Sequence, residues 1–170
     1  LEQQLQISWG DTLFLVTYHP VTAADHDTGQ EIASLVSALE AFEGATVVFT
    51  LPNADPEHNI IAGTIRQAVA DREEWHLFPS LGAERYLSLM AHASVVVGNS
   101  SSGLLESPWL GVPTVNIGPR QDGRILAKSV LSCEPKRHEI ENTISKALSV
   151  EFRDSIIGQR SPWGAGGASD

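Results

Sequence analysis

The stretch GNSSSGLLESPWLGVPTVNIGPRQDGR, residues 98 to 124, sets three consecutive hydroxyl side chains, Ser100, Ser101 and Ser102, between Gly98-Asn99 and Gly103. It directly follows the apolar run Val95-Val96-Val97. A turn from a strand into a helix leaves backbone N–H groups pointing outward at the positive helix end, and phosphate binds there readily. Small residues let an anion approach the backbone, and each hydroxyl adds a donor. A serine here can also be only a helix N-cap. That role needs one serine, and a capping box is ruled out because Gly103, not Ser or Thr, stands three residues before Glu106. Glu106 suits gripping a diol such as a ribose 2′,3′ pair; its alternative is favourable placement near the helix end. Arg120 has the fork geometry to clamp a diphosphate bidentately.

Two further candidates follow apolar runs. His19 closes LFLVTYH and opens HPVT; it is a candidate binding and catalytic residue, with a structural histidine as the alternative. Asn53, after ATVVFTLP, either caps the next helix or holds a base. The other histidines, at 26, 58, 76, 92 and 138, show no metal-ligand spacing such as HExxH. A nucleophile elbow, GxSxG, is excluded because Ser102 stands where its second glycine belongs. There is no GxxxxGK[ST] and no GxGxxG after a strand.

The elements that must position these residues alternate along the chain. Strands are predicted at 13–19, 45–51, 74–80, 94–98 and 113–118, with a short strand or loop at 129–133. Helices are predicted at 26–42 (Ile32, Leu35, Val36, Leu39, Phe42), around 60–69, at 83–93, 102–110 and 136–149. Such alternation predicts a mostly parallel sheet with helices on both faces, and ligands bind such sheets at the carboxyl ends of the strands. His19, Asn53, Ser100 and Arg120 are therefore expected to converge on one sheet edge.

The 170 residues suffice for one domain with a real core. A net charge of -10 argues against nucleic acid and against an anionic membrane surface. Residues 1–65 contain no Lys or Arg, whereas Arg120, Arg124, Lys128, Lys136 and Arg137 fall close together. That cluster fits a small-anion site or a solvated face. The single cysteine, Cys133, makes no internal disulfide and fits a reducing, cytoplasmic setting. There is no signal-peptide pattern and no transmembrane-length apolar run.

HPVT, LPNAD, the long GNSSSG…NIGPRQDGR stretch and the tail SPWGAGGASD resemble the C-terminal half of UDP-N-acetylglucosamine 2-epimerases, most closely the hydrolysing branch that feeds sialic acid synthesis. The resemblance runs over essentially the whole chain. It implies a GT-B architecture, two Rossmann-like domains with the UDP-sugar between them, and makes residues 1–170 one Rossmann-like UDP-binding domain. Residues 1–10 would be the end of a linker helix and 158–170 a truncated tail. His19, Ser100 and Ser101 would contact the diphosphate, Arg120 would line the same site, Asn53 would lie near the uridine and Glu106 would bind the ribose. The implied reaction converts UDP-GlcNAc and water to N-acetylmannosamine and UDP, by UDP elimination and then hydration, without metal or organic cofactor. A preceding domain, in a homo-oligomer, would supply the proton-transfer groups, so the isolated domain is expected to be inactive. Other GT-B UDP-sugar enzymes (a non-hydrolysing epimerase or a UDP-GlcNAc glycosyltransferase) and a stand-alone nucleotide-binding module are the alternatives. UDP-GlcNAc and a UDP-2,4-diacetamido sugar are not distinguished.

Overall fold

The computed structural model describes residues 1–21, 26–52, 57–159 and 162. Its centre is a six-stranded sheet: β1 (Leu13–Thr17), β2 (Thr46–Thr50), β3 (Trp75–Phe78), β4 (Val95–Gly98), β5 (Thr114–Ile117) and β6 (Val130–Cys133). All pairings are parallel and the order is β3-β2-β1-β4-β5-β6. The helices are α1 (Glu2–Leu5), α2 (Thr28–Leu39), α3 (His58–Ala70), α4 (Gly82–His92), α5 (Ser102–Leu105), α6 (Arg137–Leu148) and α7 (Val150–Ser155).

Every residue of β1, β2, β4 and β5 is buried, as expected of strands covered on both faces. The side-chain alternation divides the core in two. Phe14 and Val16 join Ile32, Leu35 and Leu39 of α2, Ile61 and Ile65 of α3 and Ile140 and Ile144 of α6. Leu13 and Leu15 face the other way, with Val48, Val96, Leu89, Met90 and Leu5. A smaller cluster of Leu104, Ala127 and Val130 seats α5. On the β3 edge, Arg72 lies 4.6 Å above the Trp75 ring and also pairs with Glu40.

The predicted alternation matches this architecture, and three local differences have physical causes. The expected helix at 102–110 is two pieces, α5 and a 3-10 turn at Ser107–Leu110. Pro108 has no N–H to continue the α-helical ladder, and Gly111 ends the turn at a φ of 68°. The segment at 129–133 is a true edge strand, paired with β5. α7 was not foreseen. Ser149, extended at ψ 143°, ends α6 and accepts from the Phe152 N–H to cap α7. None of α7's residues is buried, so it carries no apolar stripe to read.

Gly98 is dictated by the contact between β1 and β4. Its φ is +134°, and a Cβ there would stand 2.0 Å from the Thr17 carbonyl oxygen, which is backbone and cannot swing aside. Gly98→Ala should therefore lower the unfolding free energy by about 3 kcal/mol, from strain plus overpacking, measurable by urea titration. A loss below about 1 kcal/mol would mean that the β1–β4 approach relaxes.

Candidate functional site

The strand order reverses its progression between β1 and β4, running outward through β2 and β3 on one side and through β5 and β6 on the other. In open sheets of this kind the crevice beyond the carboxyl ends of those two strands is the ligand site. Register brings Thr50, Thr17 and Gly98 side by side at that edge.

Asn99, fully buried, joins the loops that follow β1, β4 and β5. Its Oδ1 accepts from the His19 N–H at 2.7 Å and its Nδ2 donates to the His19 carbonyl at 2.8 Å. Its own N–H donates to the Thr17 carbonyl at 3.2 Å. Its carbonyl accepts from Gln121 Nε2 at 2.7 Å and from Arg120 Nη1 at 3.1 Å. His19, Ser100 and Arg120 are thus brought to one place, as expected. Asn53 lies outside the described residues, as do Thr22 of the HPVT motif and Asp55.

The serines are built into a line of hydroxyls. Thr50 Oγ1 and Thr17 Oγ1 are 2.5 Å apart, and Thr17 Oγ1 makes a longer contact of 3.4 Å with the Tyr86 hydroxyl. The Tyr86 hydroxyl is 2.7 Å from Ser102 Oγ, which donates to Ser100 Oγ at 3.0 Å. The N–H groups of Ser100 and Ser101 have no backbone partner among the described residues. α5 is a single turn, so its dipole is short, and anion attraction falls to these N–H and O–H donors more than to the helix. A Cβ on Gly103 would meet Thr114 Cγ2 at 2.8 Å, so the glycine lets the serine turn sit down on β5. Glu106 follows one turn later; its N–H donates to the Ser102 carbonyl, and its Oε2 is buried with no hydrogen-bond partner among the described residues.

Beside this line, at the ends of β2 and β3, a cavity of about 340 Å³ is lined by Thr50, Leu51, Pro52, Pro79, Gly82 and Tyr86. Sequence reasoning singled out neither Tyr86, Gln121 nor the structural part of Asn99. Asn99 and Gln121 had a visible cue, as polar residues following predicted strands at 94–98 and 113–118; Tyr86 had none. The basic cluster is dispersed. Arg120 reaches the edge, while Arg137 pairs with Glu141 along α6 at 2.6 Å. Among the described residues no three His, Cys, Asp or Glu come together as metal ligands, and no helix is long and apolar enough to cross a membrane. Burial pushes the Cys133 thiol up to about 11, which leaves too little thiolate for a nucleophile at neutral pH.

The model of the UDP-N-acetylglucosamine 2-epimerase family matches residues 2–170. The chain belongs to the UDP-N-acetylglucosamine 2-epimerase family. A Campylobacter jejuni relative, GDP/UDP-N,N'-diacetylbacillosamine 2-epimerase (hydrolyzing), is 36% identical over 157 residues, 91% of this chain and 40% of that protein. Among solved structures, UDP-GlcNAc 2-epimerase from Neisseria meningitidis bound to UDP-GlcNAc superposes with a TM-score of 0.72 at 16% identity, over 96% of this chain and 43% of that one. The S. aureus MnaA–UDP co-structure also gives 0.72, at 12% identity, over 91% and 41%. The chain therefore spans about two-fifths of the length of these epimerase-family relatives. Its fold is the Rossmann-like C-terminal half of their GT-B architecture.

Two outcomes follow from the geometry. In Asn99→Asp the donor to the His19 carbonyl becomes an acceptor, so two acceptors face each other in a buried place. Stability should fall by about 2 kcal/mol at neutral pH, read by thermal or urea melting; an unchanged midpoint would show that Asn99 is not the staple. Cys133 should react with a thiol reagent at pH 8 at least about tenfold more slowly than free cysteine and accelerate only toward pH 11. Labelling at the free-cysteine rate would contradict its burial.

Proposed function

We propose that the chain is the UDP-binding domain of a hydrolysing UDP-GlcNAc 2-epimerase, with residues 1–170 as one Rossmann-like unit working in the cytoplasm. The observation that carries the reading is the convergence, through Asn99, of His19, the serine turn and Arg120 at the β1/β4 switch point. A diphosphate there would be met by the Ser100 and Ser101 N–H groups, the serine hydroxyls, the His19 ring and the Arg120 guanidinium. These are charge-assisted and directional contacts. Glu106 Oε2, buried and without a partner among the described residues, suits the hydroxyls of a ribose, since a buried carboxylate oxygen gains most when a donor arrives. The cavity beside Tyr86 has room for a pyrimidine base and an aromatic ring on its wall; Asn53, outside the described residues, is assigned to the uridine by the family resemblance alone.

In the reaction, UDP departs from C1 of the sugar as C2 loses its proton, leaving a glycal-like intermediate. Water then adds, yielding N-acetylmannosamine and UDP. The part this chain plays is to bind and stabilise the departing diphosphate, where negative charge develops. His19, at the same place, is a candidate to touch the leaving oxygen. The base for C2 would come from a preceding domain, because general base catalysis needs a group positioned at about 2.6–3.2 Å from its proton. The hydrolysing branch is favoured by the 36% identity to a relative whose name carries that chemistry.

Calorimetry tests the reading. The chain should bind UDP and bind uridine much more weakly. Arg120→Ala should weaken UDP by about tenfold to a hundredfold and leave uridine unaffected. Glu106→Ala should erase the preference for UDP over 2′-deoxy-UDP. The chain alone should release no UDP from UDP-GlcNAc above background. Equal affinity for uridine and UDP would remove the phosphate cradle, and turnover by the chain alone would show that the catalytic groups have been misplaced.

A further inference from the structure

Glu31 is an acidic residue that the reading above leaves without a task, yet it is almost wholly buried, 6% exposed, on the first turn of α2. Its Oε2 accepts from the Tyr18 hydroxyl at 2.7 Å, and its Oε1 lies 2.5 Å from His26 Nδ1. A carboxylate taken out of water is tolerated only where donors meet its oxygens, and here each oxygen has one. Tyr18 is a dependable donor, because burial, reinforced by the bond to Glu31, drives its ionisation far above the usual tyrosine range. The contact meets the His26 ring at Nδ1, so the ring's tautomer decides which partner donates.

Tyr18 immediately precedes His19, and His26 immediately precedes Asp27, the cap of α2, whose Oδ1 accepts from the Gln30 N–H at 3.0 Å. One buried carboxylate thus joins Tyr18 to His26, the residue before the cap of α2. Asn99 holds the His19 backbone from the β4 side, and Glu31 holds the preceding residue from the α2 side. A core role alone would be met more cheaply by an apolar pair, since buried charge is weak evidence for stability. An arrangement that ties the residue before His19 to a helix cap fixes where His19 stands.

We infer that Glu31 is a positioning residue: through Tyr18 and His26 it sets the placement of His19 in the diphosphate site. The inference rests on the UDP-binding reading. It is tested by titrating UDP and uridine into the unaltered chain and into Tyr18→Phe, His26→Ala and His26→Gln, with melting curves for each and nitrogen NMR of the His26 ring. The expected result is that Tyr18→Phe and His26→Ala weaken UDP about tenfold and leave uridine unchanged. His26→Gln, which restores an N–H donor, should recover most of the UDP affinity. In the unaltered chain the ring nitrogens should show a protonated Nδ1, altered in Tyr18→Phe. Folded variants that bind UDP like the unaltered chain would overturn the inference. So would a parallel loss of UDP and uridine tracking a fallen melting temperature, which would mark Glu31 as structural only. Failure of the unaltered chain to bind UDP would instead remove the reading on which the inference stands.

Discussion

The reciprocal pair between the Asn99 carboxamide and the His19 backbone is the contact on which the rest of the edge depends. A parallel sheet satisfies its own backbone only as far as its strands run. Where β1 and β4 end, the next N–H and carbonyl groups must find partners or stay hydrated. One buried side chain with both a donor and an acceptor completes the His19 peptide groups as a further ladder rung would, and it does so where the strands have already begun to part. Because the Asn99 carbonyl also receives Gln121 and Arg120, three loops of separate origin share one reference point.

That reference point is useful only if the strands beneath it approach closely. Gly98 permits the approach on the β1 side and Gly103 on the β5 side, one against backbone and the other against a threonine methyl. The two constraints differ in kind. The first is rigid, because neither φ nor a carbonyl can yield. The second has a side chain as its counterpart, and a neighbouring hydroxyl, Thr114 Oγ1, donates to the Gly103 carbonyl at 2.8 Å and lies 2.9 Å from Ser107 Oγ. The serine turn is thus fastened from below by β5 before any ligand meets it from above.

Much of this architecture was legible in the sequence because it is local. The apolar runs Leu13–Val16 and Val95–Val97, the helical spacing of Ile32, Leu35 and Leu39, and the serine turn itself are each contained within a few residues. The sheet-edge rule then carried His19, Ser100 and Arg120 to one place. What stayed hidden is pairing at long range. Asn99 and His19 are 80 residues apart, and Thr17 and Tyr86 are 69 apart; no spacing rule links them. Glu31 was hidden for another reason. Among the helix residues Thr28–Leu39 it reads as an ordinary first-turn acid, and only the fold shows that it is buried against Tyr18. The break at Pro108 was visible in the sequence, since a proline seven residues into the expected helix 102–110 removes an N–H from its ladder; that the chain goes on as a 3-10 turn needed the structure.

A chain with a net charge of -10 is an unexpected host for the diphosphate proposed above, and the geometry of the edge bears on how the two could be compatible. At physiological salt the Debye length is about 8 Å, so exposed acids further away than that act weakly on a bound anion. What counts is the inner shell, and in the proposed site it offers two backbone N–H groups and the serine hydroxyls, all uncharged, beside the His19 ring, with Arg120 as the formal cation. Of the two carboxylates described above, Glu31 has both oxygens engaged by Tyr18 and His26, and Glu106 Oε2 is buried and unpartnered among the described residues. The first carboxylate is therefore largely spent on protein donors, while the second is placed where a hydroxyl would satisfy it. Neutral donors held rigidly confer directionality without a large positive field. Under the proposed reading, such a site holds a diphosphate ester through geometry more than through net charge.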